Sequence, residues 1–320
     1  LQLTTEAEYN AWDFTSTWRT PIPNTSYPCL AWEEAGSCPE APKYNYDITS
    51  CPDLQNINNA LWANYTLTTD IDCIGVDFTP LGDSTIPFTG TFDGGNFTIS
   101  NLTINKINQS YVGLFGFTRE ATIENIVLQN PQIYGKNNVG SLIGYSQGSF
   151  LSQIVIEEGS VTGKADLGAV VGELHTTSLS NIHVKNPTLY GQDNTGGLIG
   201  YAHTPTILQS SVSGGTITGT SEVGGLIGHL TWENSIRGSI DQSFARTSVT
   251  GSSHNNGGLV GYGIYTDLTN SYFVGEVIST GGDDTGGIIG DGSAHNMFIA
   301  NTYAVTGVLP ISAAGGLAGR

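Results

Sequence analysis

The residue types able to do chemistry are few in this chain, and their linear spacing argues against most of it. Six histidines (His175, His183, His203, His229, His254 and His295) show no metal-ligand spacing, and no HExxH, GxSxG or P-loop string occurs. Asp283-Asp284 is a carboxylate pair, but it precedes Gly286 in a stretch where Asp is a natural turn former. Acid–base work on a sugar needs two carboxylates at a defined separation in a groove, and no second acid shares the phase of Asp283. Asp70, Asp72 and Asp93 are the residues that could hold calcium, with capping or turn roles as the simpler reading. The expectation is a chain that is not an enzyme, with no catalytic residue, no metal and no cofactor.

The elements that would position any site follow from a repeat. A Gly-small-aliphatic-aliphatic-Gly motif closes at Gly144, Gly172, Gly200, Gly228, Gly261, Gly290 and Gly319, with a shortened copy at Gly116. The closing glycines are separated by 28, 28, 28, 28, 33, 29 and 29 residues. Nine residues after the glycine stand Asn125, Gln153, Asn181, Gln209 and Asn270, joined by Gln242 if five residues near Trp232 are an insertion. Seventeen after it come Ile133, Val161, Leu189, Ile217 and Ile278.

A unit of this length with short alternating segments and no 3.6 period is no helical repeat, and an LxxLxLxxN frame is absent. Three strands separated by turns, coiling once per unit, fit. The fold class is therefore all-β: a right-handed parallel β-helix, or β-solenoid, with coils of about 28 residues. Equal phase becomes a column, so aliphatic positions fill the interior and the amide positions form a hydrogen-bonded ladder within a turn. The residue after each closing glycine is also aligned. Phe117, Tyr145, Tyr201 and Tyr262 then make an exposed stripe whose ring faces suit glycans, although plain stacking along the wall explains it too.

Many β-solenoids cleave polysaccharides. Polygalacturonase-like enzymes carry Asn-Thr-Asp, Asp-Asp, Gly-His-Gly and Arg-Ile-Lys sets, of which only Asp283-Asp284 is present here. Pectate-lyase chemistry wants clustered basic residues, whereas this chain has 10 Lys plus Arg against 28 Asp plus Glu, a formal charge of −18. That field repels nucleic acid and anionic lipid. No apolar run reaches the roughly 18 residues of a membrane span, and Leu1 opens no signal peptide, so any such leader is expected to be gone.

Cys29, Cys38, Cys51 and Cys73 have no zinc spacing and read as two disulfides among three possible connectivities. The pairs Cys29–Cys38 and Cys51–Cys73 close the shortest loops. They imply an oxidising, extracellular or cell-surface setting. Sequons stand at Asn24, Asn64, Asn96, Asn101 and Asn108, giving candidate glycosylation sites.

The GGLIG-type motifs resemble the GLUG repeats of large bacterial surface proteins and adhesins, which also occur beside IgA-protease domains. Residues 88–104, and Tyr65 to Cys73, resemble the stretch that opens such arrays. The resemblance covers about residues 47–320. It implies stalk or display material, an extracellular structural module with possible glycan adhesion. It divides the chain into a segment 1–40 and a solenoid 41–320, with opening coils over 44–110 and regular repeats over 111–320.

Trp12, Phe14, Trp18, Tyr27 and Trp32 resemble the segment that normally ends an array, yet here they precede it. Two explanations stay open: a piece of a longer chain that alternates arrays and terminators, or a protomer whose first segment closes a neighbour's last coil. The second makes the partner another copy, stacked head to tail into a filament.

Overall fold

The computed structural model describes residues 44–232, 236–282, 284–292 and 297–309 (of these, residues 307–309 by backbone alone), and the backbone of residues 18–19, 29–30 and 314–315. The chain is a parallel β-solenoid of about eight turns, as the repeat predicts. One coil shows the plan. The strand Ile143–Gln147 builds one wall, Phe150–Glu157 and Ser160–Thr162 a longer second wall, and Ala165–Gly168 a short third. Each pairs in parallel with its equivalent 28 residues later, Ile143 with Val171, Leu151 with Leu179 and Leu167 with Thr195. Three stacked sheets result.

Backbone sterics explain the corners. In this coil the left-handed conformation falls at Gly148, Gln153, Glu158 and Asp166. The same four positions recur upward, as at Thr176, Asn181, Asn186 and Asn194. Left-handed residues cost an ordinary side chain about 1–2 kcal/mol, and Asn, Asp and Gly tolerate them best. The amide column therefore has a backbone reason: Asn125, Gln153, Asn181, Gln209, Gln242, Asn270 and Asn301 all have φ between 48° and 57°. Side-chain rungs join parts of it, Gln209 Nε2 donating to Gln242 Oε1 at 3.1 Å and Asn301 Nδ2 to Asn270 Oδ1 at 3.0 Å.

The closing glycines mark where two walls touch. A Cβ on Gly172 would lie 2.3 Å from the Val139 nitrogen, and one on Gly200 2.2 Å from the Leu167 nitrogen. No side chain fits such an approach. Inside, Ile133, Val161, Leu189 and Ile217 form the expected buried column. Ile278 does not join it. Gly214 and Gly215 bulge opposite a single residue, so Ile217 pairs with Val249, which in turn pairs with Val277. The next coil is one residue shorter at this corner, so Val277 takes the buried place and Ile278 turns partly outward.

The first coils are less regular. A short helix, Cys51–Asn56, is capped by Ser50, whose hydroxyl accepts from the Asp53 amide. The disulfide Cys51–Cys73 ties this helix to the strand Ile71–Asp72, with both cysteines buried. Cys38, Asn24, Trp12, Phe14, Tyr27 and Trp32 lie outside the described residues, as do the side chains of Cys29 and Trp18. The backbone of Trp18–Arg19 pairs antiparallel with Cys29–Leu30.

Candidate functional site

The wall that starts after each closing glycine carries the polar and aromatic side chains. Its strands are Phe115–Arg119, Ile143–Gln147, Val171–His175, Ile199–His203, Ile227–Thr231, Val260–Gly263 and Ile289–Asp291. Successive side chains alternate between interior and exterior. The register sets Phe117, Tyr145, Glu173, Tyr201, His229, Tyr262 and Asp291 in one column. The stripe expected from sequence is therefore a real column, but not a uniform one. Phe117 is buried, Tyr145, Tyr201 and Tyr262 are half-buried, and Glu173 divides the rings into two groups. Phe117 and Tyr145 stack at 4.2 Å between centroids, and Tyr201 and His229 at 4.4 Å.

Because the glycines let the walls close on each other, this column meets the left-handed corner residues of the short wall. Asn138 Nδ2 donates to a Glu173 carboxylate oxygen and also to Asp166 Oδ2 at 3.2 Å. Asn194 Nδ2 donates to the other Asp166 oxygen at 2.7 Å. Higher up, His229 Nδ1 lies 2.6 Å from Glu222 Oε2. Burial pushes the Asp166 carboxyl up to about 6; the Asn194 hydrogen bond opposes this and the Glu173 charge adds to it. Burial, then the charges of Glu173, Asp166 and Glu222, also raises Tyr201.

Two residues beyond the column, a second line begins. His175 and His203 are register partners on adjacent strands, with rings stacked 4.0 Å apart. His175 Nε2 lies 2.8 Å from Glu173 Oε1. One donor atom from each of Glu173, His175 and His203 falls within 4.8 Å of the others, and among the described residues these three are the set that could hold a metal. Sequence reasoning passed over them because His175 and His203 are far apart in the chain. The missed signal is their separation of 28, one coil.

The other anticipated positions have structural partners. Asp72 Oδ1 accepts from the Ile74 amide and Asp93 Oδ1 from the Gly95 amide, both local turn contacts, whereas Asp70 Oδ1 accepts from the Thr98 amide 28 residues on, a contact between coils. Asp284 sits buried at a left-handed corner, while Asp283 lies outside the described residues. Among the sequons, Asn96 and Asn108 are exposed. The Asn64 amide donates to Asn45 and the Asn101 amide to Asp72. Among the described residues no helix is long and apolar enough to cross a membrane.

No family model matches the chain. A stretch of 118 residues is 41% identical to Halomucin of Haloquadratum walsbyi, over 32% of this chain and 1% of that protein, so the chain spans a very small part of its relative. Among solved structures, a candidate immunoglobulin A1 protease from Bacteroides ovatus aligns with a TM-score of 0.51 at 18% identity, covering 82% of this chain and 77% of that one. A second, described as IgA1 protease, aligns with a TM-score of 0.54 at 19% identity, over 84% of this chain and 20% of that one. These likenesses are of fold. They also overturn the expectation that the chain is not an enzyme: that expectation rested on missing motifs, and solenoids of this shape stand within chains described as proteases.

Proposed function

We propose that the chain is an extracellular structural solenoid module, a stalk or fibre segment that stacks on further copies or on flanking modules of a longer polypeptide. The observation that carries this reading is the unbroken coil-to-coil pairing of all three walls. Each coil offers its strand edge to the next. The disulfide Cys51–Cys73 agrees with an oxidising location. The Halomucin stretch agrees with a module built into a far longer chain. On this reading residues 1–40 are the closing segment that meets a neighbour's last coil.

Electron microscopy and sedimentation of the purified chain across a concentration series test assembly. Filaments or end-to-end oligomers that grow with concentration are expected. Dispersed rods of about 40 Å, eight coils at about 4.8 Å each, at every concentration would overturn it.

The column geometry favours a second role on the same scaffold, glycan binding through Tyr145, Tyr201 and Tyr262. Replacing all three by Ala should abolish retention on a glycan array, and unchanged retention would remove this role.

A further inference from the structure

We propose that Glu173, His175 and His203 form a binding site for a divalent transition-metal ion of the zinc type. Glu173 and His175 are two residues apart on the strand Val171–His175, so their side chains leave the same face. His203 is the register partner of His175 on the strand Ile199–His203. Two positions on one strand and one on its neighbour make a three-point cradle that needs no loop and no induced fold.

The donor atoms already lie within 4.8 Å of one another. Tetrahedral zinc with nitrogen and oxygen ligands at about 2.0–2.2 Å places those ligands about 3.3–3.6 Å apart. Closing the remaining gap takes side-chain rotation, with the backbone left in place. Two imidazoles and a carboxylate are a donor set for zinc with one coordination position left open. The side chains of Glu173 and His175 are 21% and 20% exposed, so an ion can reach them from solvent.

The carboxylate is also held for the task. One Glu173 oxygen accepts from Asn138 Nδ2, which is itself anchored on Asp166. The other oxygen, now hydrogen-bonded to His175, points into the cluster. Such outer contacts fix ligand orientation in metal sites. Metal binding replaces the hydrogen bond between Glu173 and His175, and the imidazole binds in its neutral form.

The same wall contains a comparison pair. Glu222 and His229 are as close as Glu173 and His175, but the ring neighbours of His229 are Tyr201 and Tyr262, and among the described residues no second imidazole completes a set. The site is independent of whether the solenoid polymerises.

The test is titration of the chelator-treated, tag-free chain with ZnCl2 by calorimetry and with CoCl2 by visible absorption. One equivalent should bind in the micromolar range or tighter. His203→Ala and His175→Ala should each weaken binding at least tenfold, while His229→Ala leaves it unchanged. No binding up to millimolar Zn2+, or equal binding by His203→Ala, overturns the proposal. Should His203→Ala fold poorly, His203→Asn serves in its place. The parent chain remains decisive, since absence of both a Zn2+-induced rise in melting temperature and a Co2+ spectrum also overturns it.

Discussion

His175 and His203 face each other from adjacent strands with ring centroids 4.0 Å apart, although 28 residues of chain separate them. Their contact is set by the length of one coil. Every exposed column on this wall is fixed in the same way, because parallel register turns a constant sequence interval into a constant spatial step of about 4.8 Å.

The close approach of two walls at the repeated glycine makes a quantitative prediction. In Gly200→Ala the new Cβ would sit 2.2 Å from the Leu167 nitrogen and 2.3 Å from the Asp166 carbonyl carbon. Destabilisation of about 3 kcal/mol is expected. Gly148→Ala is the comparison: φ is +62° and the nearest atom would lie 3.5 Å away, so about 1 kcal/mol is expected. Thermal and denaturant unfolding of both variants supplies the check, and equal losses would defeat the wall-contact explanation.

The amide column separates backbone from side-chain causes. Asn181 has φ of 54°. If the left-handed corner is the main demand, Asn181→Gly should be nearly neutral and Asn181→Val should cost about 2 kcal/mol. If the side-chain ladder dominates, the two variants will lose similar stability in the same unfolding assay.

Asp166 gives a pH signature. Its carboxyl is raised from 3.8 to about 6, chiefly by burial. Below pH 4 both folded and unfolded chains hold the proton, and the full contribution is present. Between about pH 4 and 6 the unfolded chain releases it first, so stability falls as pH rises, then levels off. The loss is at most about 3 kcal/mol, reduced by solvent screening. Melting temperatures of the parent and Asp166→Asn across pH 3.5–7.5, in chelator, should diverge over that window. Parallel curves would contradict the assignment.

The coil length, the buried column from Ile133 to Ile217 and the alignment after each glycine were all legible in sequence, because identical steric demands recur at identical phase. Ile278 was misplaced by one residue, since the Gly214–Gly215 bulge is a local choice of backbone that the interval arithmetic does not register. The corner column was also readable: Asn138, Asp166, Asn194 and Glu222 keep the 28-residue interval. What sequence withheld was its contact with the neighbouring wall. The link from Asn138 to both Glu173 and Asp166 depends on how tightly the glycines let two sheets converge. A histidine pair one coil apart looks unrelated until that folding is known.

The regular coil is a unit of inheritance as well as of structure. Its 28 residues correspond to three times as many nucleotides, and each coil meets only the one before and the one after. Unequal recombination between two copies adds or removes a whole turn without shifting the reading frame, and every column re-forms across the join. Array length can thus drift by gene-level copying while each turn keeps its own side chains, so a lineage can lengthen the rod and leave a site such as His175 and His203 intact.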